Sequence, residues 1–278
     1  MTVGIVGLGL IGGSMARSVK ARTVHTVYGA DLDRETMTLA RLCGAIDAPL
    51  TEETLGLCDL LLLAVRPAAA VDWIREHAEK IGKNCIVVDL CGVKRPVVPE
   101  ITKMARAYGF AYVGGHPMAG TERSGFTASK EDLYVGASMI LTPDSGASPQ
   151  ILERLKIFFL DVGFANLTFS TPEEHDRIIS FTSQLAHIVS SAYVKSPEAR
   201  RRRGFSAGSF RDMTRVARLD ENMWTELMLD NADFLSDELK ILMEHLREYA
   251  EALEARDENR LRDLLKEGRE AKAEAGGN

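Results

Sequence analysis

The segment VGIVGLGLIGGS, residues 3–14, constrains the fold of this chain more than any other stretch. Gly7, Gly9 and Gly12 form a GxGxxG pattern directly after the apolar run 3–6. In such a loop the first glycine permits a tight turn, the second lets the backbone approach a pyrophosphate, and the third lets helix and strand pack closely. The segment therefore predicts the strand, loop and helix that open a dinucleotide-binding domain.

Two features further along strengthen this prediction. Leu10 and Ile11 begin a predicted helix, whose N-terminal N–H groups suit a phosphate. The second apolar run ends at Asp31, where a carboxylate can accept hydrogen bonds from the adenosine ribose. A carboxylate there repels a 2′-phosphate, so NAD is favoured over NADP, although nearby Arg34 weakens the preference. The alternative for Asp31 is a turn or cap role, which Asp33 can also fill.

The periodicity changes once along the chain. Residues 1–170 alternate short apolar runs with amphipathic stretches, which is typical of βαβ units around a parallel sheet. The predicted strands are 3–6, 24–28, 60–65, 85–90, 111–113, 138–141 and 166–169. Thr171 and Pro172 predict a helix start, and no strand pattern follows. We predict an α/β Rossmann-type N-terminal domain, residues 1–170, and an all-α C-terminal domain, residues 171–278.

The carboxyl ends of parallel strands form the edge where ligands bind. Val65 and Pro67 follow one predicted strand and are expected to line the cofactor crevice.

The segment GGHPMAGTERSG, residues 114–125, is predicted to be a loop at the same edge, and it holds His116. Oxidation of an alcohol needs a base for the hydroxyl proton, and histidine suits because its pKa is near neutral. His116 is the candidate base; the alternative is a structural histidine, our interpretation of His25, His77 and His245.

The C-terminal half carries three further patterns. A predicted helix over 172–194 places polar side chains on one stripe, which faces water, a partner or a site: Ser180, Gln184, His187 and Ser191. Arg211 and Arg215 share a helix face that suits carboxylate capture, or they form surface ion pairs with Asp212 and Asp220. A heptad seam runs along a further predicted helix, and it packs either within the domain or across a dimer interface. Its residues are Leu235, Leu239, Leu242, Leu246, Tyr249 and Leu253.

Composition excludes several classes of protein. The formal net charge of −6 argues against a nucleic-acid-binding face, although residues 200–203 are four arginines in a row. We interpret that run as a solvated loop, with substrate attraction or subunit bridging as alternatives.

Four cysteines without a CxxC pair predict a reducing, cytoplasmic setting. We expect no membrane span, because no apolar run is long enough, and no metal, because no HExxH or Cys/His ligand cluster occurs.

Five segments together resemble the prephenate/arogenate dehydrogenase family: GLGLIGGS, DLCGVK at 89–94, GGHPMAGTERSG, SQLAH at 183–187, and the run 208–224. The likeness runs in order from residue 3 to about residue 230. It implies NAD-dependent oxidative decarboxylation of prephenate to 4-hydroxyphenylpyruvate in tyrosine biosynthesis, by a homodimer. It also implies that His116 is the base, that Arg215 binds a substrate carboxylate, and that His187 lies in the substrate pocket. Thr121 and Glu122 match the pocket mouth, where tyrosine feedback acts in some members.

Two positions depart from the family pattern. Gly92 stands where many relatives have a serine that orients histidine, substrate and nicotinamide, so we expect Gly92 beside the cofactor without that hydrogen bond. Gln184 stands where many prephenate users have histidine, so arogenate is the alternative substrate. Two rivals also remain: a dehydrogenase for β-hydroxy acids, which would need a lysine base, and a non-catalytic NAD-binding module. The only lysine of the predicted helix region is Lys195, beyond its far end.

Overall fold

The computed structural model describes residues 1–205 and 207–276. Eight strands form one sheet in the order β3-β2-β1-β4-β5-β6-β7-β8. The strands are β1 Thr2–Val6, β2 Thr26–Ala30, β3 Ala48–Pro49, β4 Leu60–Leu63, β5 Ile86–Asp89, β6 Ala111–Pro117, β7 Ser138–Thr142 and β8 Asn166–Phe169.

Helices cover both faces of the sheet and make up the C-terminal half. Those of the N-terminal half are α1 Leu10–Arg22, α2 Arg34–Leu42, α3 Glu52–Leu55, α4 Pro67–His77, α5 Val98–Tyr108 and α6 Pro149–Val162. Those of the C-terminal half are α7 Pro172–Ile179, α8 Ala186–Tyr193, α9 Glu198–Arg201, α10 Gly208–Thr214, α11 Glu221–Leu229, α12 Ala232–Glu254 and α13 Glu258–Ala275. Two 3-10 turns, Ala78–Lys80 and Phe126–Ala128, and a π-helical segment, Ser180–Leu185, complete the set.

The first six strands have the strand order of a doubly wound dinucleotide-binding fold, and all their pairings are parallel. The prediction of a Rossmann-type N-terminal domain followed by helices is confirmed. The last two strands depart from this parallel arrangement, because β7 pairs with β6 in the antiparallel sense and β8 is parallel to β7. The two-residue strand β3 was also not predicted, since two residues carry no readable alternation.

The antiparallel partner changes the backbone at His116. The sequence predicts a loop after residue 113, but β6 continues to Pro117 and pairs His116 with Ile140 of β7. A neighbouring strand supplies backbone hydrogen-bond partners that the local glycines do not reveal. His116 is therefore held in a strand near the carboxyl edge of the sheet.

Two apolar clusters, one on each face, fix the sheet between the helices. Alternate residues of β4 serve different clusters: Leu62 faces the side of α1 and α6, and Leu61 faces the side of α4 and α5. Phe158 of α6 and Ile101 of α5 are fully buried on these two sides. Each side chain buried in this way contributes about 2 kcal/mol.

The helical half begins at a capped helix and contains an irregular turn. Thr171 accepts the Glu174 N–H at 3.1 Å and so caps α7, as predicted. The helix predicted over 172–194 is helical from Pro172 to Tyr193, but the π-helical segment interrupts its regular 3.6-residue period. The wider π turn rotates later side chains, so Ser190 is buried and Ser191 is only half-buried.

The long helix α12 divides the predicted heptad seam. Leu235 is 5% exposed, whereas Leu246 and Leu253 are 58% and 60% exposed. The first part of the seam therefore packs within the chain, and the second part is open to a partner. Among the described residues, no helix is long and apolar enough to cross a membrane.

Candidate active site

The glycine loop has the geometry of a phosphate-binding turn. Gly7 has φ +84°, and a Cβ there would lie 2.5 Å from the Ala64 carbonyl oxygen, so a larger residue is excluded. A Cβ at Gly9 would meet no protein atom within 4 Å. The start of α1 at Leu10 has no side-chain cap, so its N–H groups can bind an anion. These features fit a dinucleotide pyrophosphate, with Ile11 and Gly12 in the first turn of the helix.

A carboxylate lies beside this loop at the end of β2. Asp31 accepts the Leu8 N–H at 2.7 Å and the Asp33 N–H at 2.9 Å. Asp33 caps α2 by accepting the N–H groups of the second and third helical residues. Since Asp33 does the capping, the Asp31 carboxylate is left beside the loop, hydrogen-bonded to the Leu8 and Asp33 N–H groups.

The chain after β4 closes the other side of the loop. The Val65 side chain lies 2.7 Å from the position that a Gly7 Cβ would take, and Pro67 is buried at the start of α4. Arg66, between them, forms an ion pair of 3.2 Å with Glu226 of α11. The helical half therefore contacts the edge of the predicted cofactor crevice.

His116 is held from behind by a second histidine. Its Nδ1 lies 2.9 Å from His175 Nε2, and His175 Nδ1 lies 2.7 Å from Asp176 Oδ1. The side chains of His175 and Asp176 are fully buried, whereas His116 keeps part of its surface exposed. Burial lowers the pKa of His116 well below its ordinary value of 6.5, and His175 and the Lys94 ammonium act in the same direction. His116 is therefore neutral at neutral pH, the form that a base must have.

Asp176 joins the two halves of the molecule at this point. Its carboxylate accepts the N–H groups of Lys94 and Arg95 at 2.8 and 2.9 Å, and its carbonyl accepts an N–H from the Asn231 amide at 2.8 Å. The Arg95 guanidinium continues to Asp233 and to the Asn231 side-chain oxygen. The residues that support His116 are thus placed by docking of α7 and α12 against the chain after β5.

A buried ion pair lies next to His116 in the sheet. Lys94 pairs with Asp89 and donates to the Gly115 carbonyl, and both charged side chains are fully buried. The Tyr112 hydroxyl donates to Asp89 at 2.7 Å, as does the Cys91 N–H at 3.0 Å. Burial of a charge is tolerated because it is paired and hydrogen-bonded in this way.

The two departures from the family pattern meet at Leu227. A Cβ at Gly92 would lie 3.5 Å from the Leu227 side chain and 4.0 Å from His116 Nε2. The Gln184 amide donates to the Leu227 carbonyl at 2.9 Å and accepts an N–H from Asn231 at 2.8 Å. Gln184 is 2% exposed, and its amide finds its hydrogen-bond partners within the protein. The sequence instead predicts that this side chain contacts the substrate.

His187 and Arg215 form a second polar group, on the helical side. His187 Nδ1 lies 2.8 Å from the Ser183 carbonyl, and its ring lies 4.0 Å from that of Trp224. Burial lowers the pKa of His187, the Ser183 carbonyl opposes this shift, and the Arg215 charge adds to it. Arg215 directly follows α10 and is exposed. The Arg215 charge is therefore near enough to act on His187.

The remaining predicted residues lie at the surface. Thr121 and Glu122 are exposed in the segment after β6. Arg211 pairs with Asp212 at 3.8 Å, and Asp220 caps α11 by accepting the Met223 N–H. Residues 200–203 are exposed. Within the described ranges, no cluster of three or more His, Cys, Asp or Glu side chains could hold a metal ion.

Sequence reasoning missed His175 and Asp176. The signal was weak, because a histidine and an aspartate in the first turns of a capped helix are usually surface residues. Only the fold shows that this turn is buried against His116, 59 positions away.

The fold and the site are those of a dinucleotide-dependent dehydrogenase: a glycine loop, a carboxylate after β2 and a neutral histidine lie at one sheet edge. Models of the prephenate dehydrogenase nucleotide-binding domain and of the prephenate dehydrogenase dimerization domain match residues 15–166 and 171–267. The chain belongs to the prephenate dehydrogenase family, and the resemblance seen in its motifs is confirmed.

Individual relatives agree with this assignment. The chain is 32% identical to prephenate dehydrogenase of Bacillus subtilis, over 85% of this chain and 66% of that protein, so it spans slightly less than two thirds of that relative. It is 30% identical to cyclohexadienyl dehydrogenase of Zymomonas mobilis, over 97% of this chain and 94% of that one. The crystal structure of prephenate dehydrogenase from A. aeolicus with hydroxyphenyl propionate and NAD+ has a TM-score of 0.82 and 30% identity, over 99% of this chain and 98% of that one.

Proposed function

We propose that this protein catalyses the NAD-dependent oxidation and decarboxylation of prephenate to 4-hydroxyphenylpyruvate, a step of tyrosine biosynthesis. The observation that carries the proposal is the environment of His116. A partly exposed histidine with a lowered pKa lies at the sheet edge that also holds the glycine loop and Asp31. Membership of the prephenate dehydrogenase family supports the same assignment.

In the proposed reaction His116 moves one proton. Bound NAD supplies the hydride acceptor for the carbon that carries the ring hydroxyl. His116 takes the hydroxyl proton as the hydride leaves that carbon. The bond from the ring to its carboxylate then breaks, its electron pair completes the aromatic ring, and CO2 departs. The ring oxygen carries a proton in both substrate and product, so His116 can return the proton, and the substrate loses one hydride and one CO2.

We propose NAD in preference to NADP because of Asp31. Its carboxylate is fixed by the Leu8 and Asp33 N–H groups, beside the open position at Gly9. A 2′-phosphate placed near a fixed carboxylate is repelled. Leu10 and Ile11 supply the N–H groups for the pyrophosphate, and Val65, Pro67 and Gly92 line the crevice in this proposal.

For the substrate we propose Arg215 as the ligand of a carboxylate, with His187 beside it. The exposed guanidinium is free to form two parallel hydrogen bonds to a carboxylate. Thr121 and Glu122 are placed at the pocket mouth, where tyrosine would act if this chain is feedback-inhibited. Gln184 acts indirectly in this proposal, by holding Leu227 next to Gly92 and His116.

Arogenate is the alternative substrate. This alternative rests on Gln184, which stands where many prephenate users have a histidine. A dehydrogenase for β-hydroxy acids is less well supported. Lys195 follows α8 at its far end, and Lys94 is fully buried in the pair with Asp89. A non-catalytic NAD-binding module would not need a neutral, partly exposed His116.

We also propose that the protein is a cytoplasmic homodimer. The helical half matches the dimerization domain of the family, and α12 leaves Leu246 and Leu253 exposed. The four cysteines are free thiols, which fits a reducing compartment.

The test uses His116→Asn, which keeps a polar side chain of similar size but removes the basic nitrogen. We expect kcat with NAD and prephenate to fall by at least about 100-fold, since a general base contributes on that order. Reduced cofactor is followed by absorbance, with arogenate in a parallel series and circular dichroism as the control for folding. Full turnover in the variant would remove His116 as the base. No turnover by the wild type with either substrate would overturn the proposed function itself.

A further inference from the structure

The two residues behind His116 form a hydrogen-bonded chain whose direction can be worked out. The Asp176 carboxylate accepts the N–H groups of Lys94 and Arg95 and lies 2.7 Å from His175 Nδ1. A carboxylate only accepts, so the proton of this bond is on His175 Nδ1. Asp176 therefore fixes which ring nitrogen of His175 carries the proton.

The direction carries through both imidazole rings. A neutral His175 with its proton on Nδ1 has a lone pair on Nε2, which lies 2.9 Å from His116 Nδ1. His116 must then donate from Nδ1, which leaves the lone pair of the neutral ring on Nε2. No hydrogen-bond partner of this Nε2 is found within residues 1–205 and 207–276, and Gly92 beside it has no side chain.

We infer that His175 and Asp176 are positioning residues: they hold His116 in the single tautomer that presents an unprotonated Nε2 to the substrate hydroxyl. This inference rests on the proposed function. Once Nε2 takes the proton, the His116 Nδ1–H still donates to His175, so the imidazolium keeps its partner. Gly92 has no side chain that could orient His116. The hydrogen bonds from Asp176 through His175 orient this ring instead.

The charges around the two rings are consistent with this arrangement. Lys94 and Asp89 face His116 from the β5 side, as a compensated pair, and Asp176 faces His175 from α7. Burial lowers the pKa of His175, and the hydrogen bond to Asp176 opposes that shift. Both rings are thus neutral in the resting protein, as the direction of the chain requires.

The hydrogen bond between His116 and His175 joins the two halves of the molecule. His116 belongs to β6, while His175 and Asp176 belong to α7. The base acquires its tautomer only when the helical half is docked, because the hydrogen-bond acceptor comes from that half.

The experiment compares two substitutions of one residue. His175→Leu removes the acceptor for His116, and His175→Gln keeps an amide oxygen that can accept from His116 Nδ1. We expect kcat with the better of prephenate and arogenate to fall by about 100-fold in His175→Leu with KM within about threefold, and to recover to within about tenfold in His175→Gln. His77→Leu is the matched control, since His77 bonds the Trp73 carbonyl in α4 and should leave kcat unchanged.

The tautomer is read directly by nitrogen NMR of protein labelled with 15N-histidine, with His116→Asn to assign the signals. We expect the wild type to carry its His116 proton on Nδ1, and His175→Leu to lose that preference. A wild-type proton on Nε2, or equal kcat in Leu and Gln variants that both fold, overturns the inference. If His175→Leu does not fold, the wild-type and Gln spectra still decide. An inactive wild type with the Nδ1 tautomer would overturn the proposed function and leave this arrangement standing.

Discussion

Asp31 supports the glycine loop, and in the proposed function the same side chain binds the cofactor. One carboxylate oxygen accepts the Leu8 N–H and so supports the glycine loop, and the other accepts the Asp33 N–H. Both oxygens retain further lone pairs for a ribose. The charge of Asp31, more than its shape, is what should discriminate between the two nicotinamide cofactors.

We expect Asp31→Asn to lower kcat/KM for NAD by about tenfold and to raise the relative use of NADP, because the repulsion of a 2′-phosphate is removed. The amide oxygen can still accept the Leu8 N–H, so the loop should persist. The measurement is kcat/KM with each cofactor at saturating substrate. Glu35→Gln, which removes an exposed charge nearby on α2, should leave the ratio unchanged. An unaltered ratio in Asp31→Asn would contradict the assignment of this carboxylate.

At the scale of elements, α12 and the π-helical segment do different tasks. The π-helical segment turns Gln184 inward, toward Leu227 and Asn231. The second part of α12 presents Leu246 and Leu253 outward. Exposed leucines in register on a long helix suit a helix of a second subunit.

We expect Leu246→Asp to weaken the proposed homodimer by at least tenfold in Kd, about 1.4 kcal/mol, because a carboxylate would be buried in an apolar contact. Light scattering over a dilution series measures this. Leu42→Asp is the matched control, since Leu42 is 79% exposed on α2 in the other half of the chain. Dimerisation of Leu246→Asp equal to that of the control would exclude this part of α12 from the interface.

Four histidines of the described chain have a lowered pKa. Burial lowers the pKa values of His25, His116, His175 and His187 below the ordinary value of 6.5. Below that pH the unfolded chain binds protons at these rings and the folded chain does not. The free energy of unfolding should therefore decrease as pH falls below about 6.5, because stability increases with pH wherever the unfolded state binds more protons.

We expect the thermal midpoint to decline steadily from pH 7 to pH 5, with each ring that stays neutral contributing up to about 1.4 kcal/mol per pH unit. Scanning calorimetry in buffers of constant ionic strength measures this. The double variant His116→Asn, His175→Gln should show a shallower slope, because two of the rings with a lowered pKa are removed. A midpoint that is constant or rises toward pH 5 would show that these rings are protonated in the folded state.

Local features of this protein could be predicted from the sequence by itself. The glycine loop and the caps at Asp33 and Thr171 depend on backbone angles and hydrogen bonds within a few residues. The family motifs added the roles that we propose for His116 and Arg215. The two-part architecture followed from the change in hydrophobic periodicity near residue 170.

Only the tertiary structure decided the features that join distant segments. The antiparallel β7 lengthens β6 through His116, and the docking of α7 places His175 and Asp176 behind that ring. Packing within the helical half brings the Gln184 amide to Leu227, 43 positions away. Contacts of this kind depend on how segments distant in sequence pack against each other, and no local spacing of residues records them.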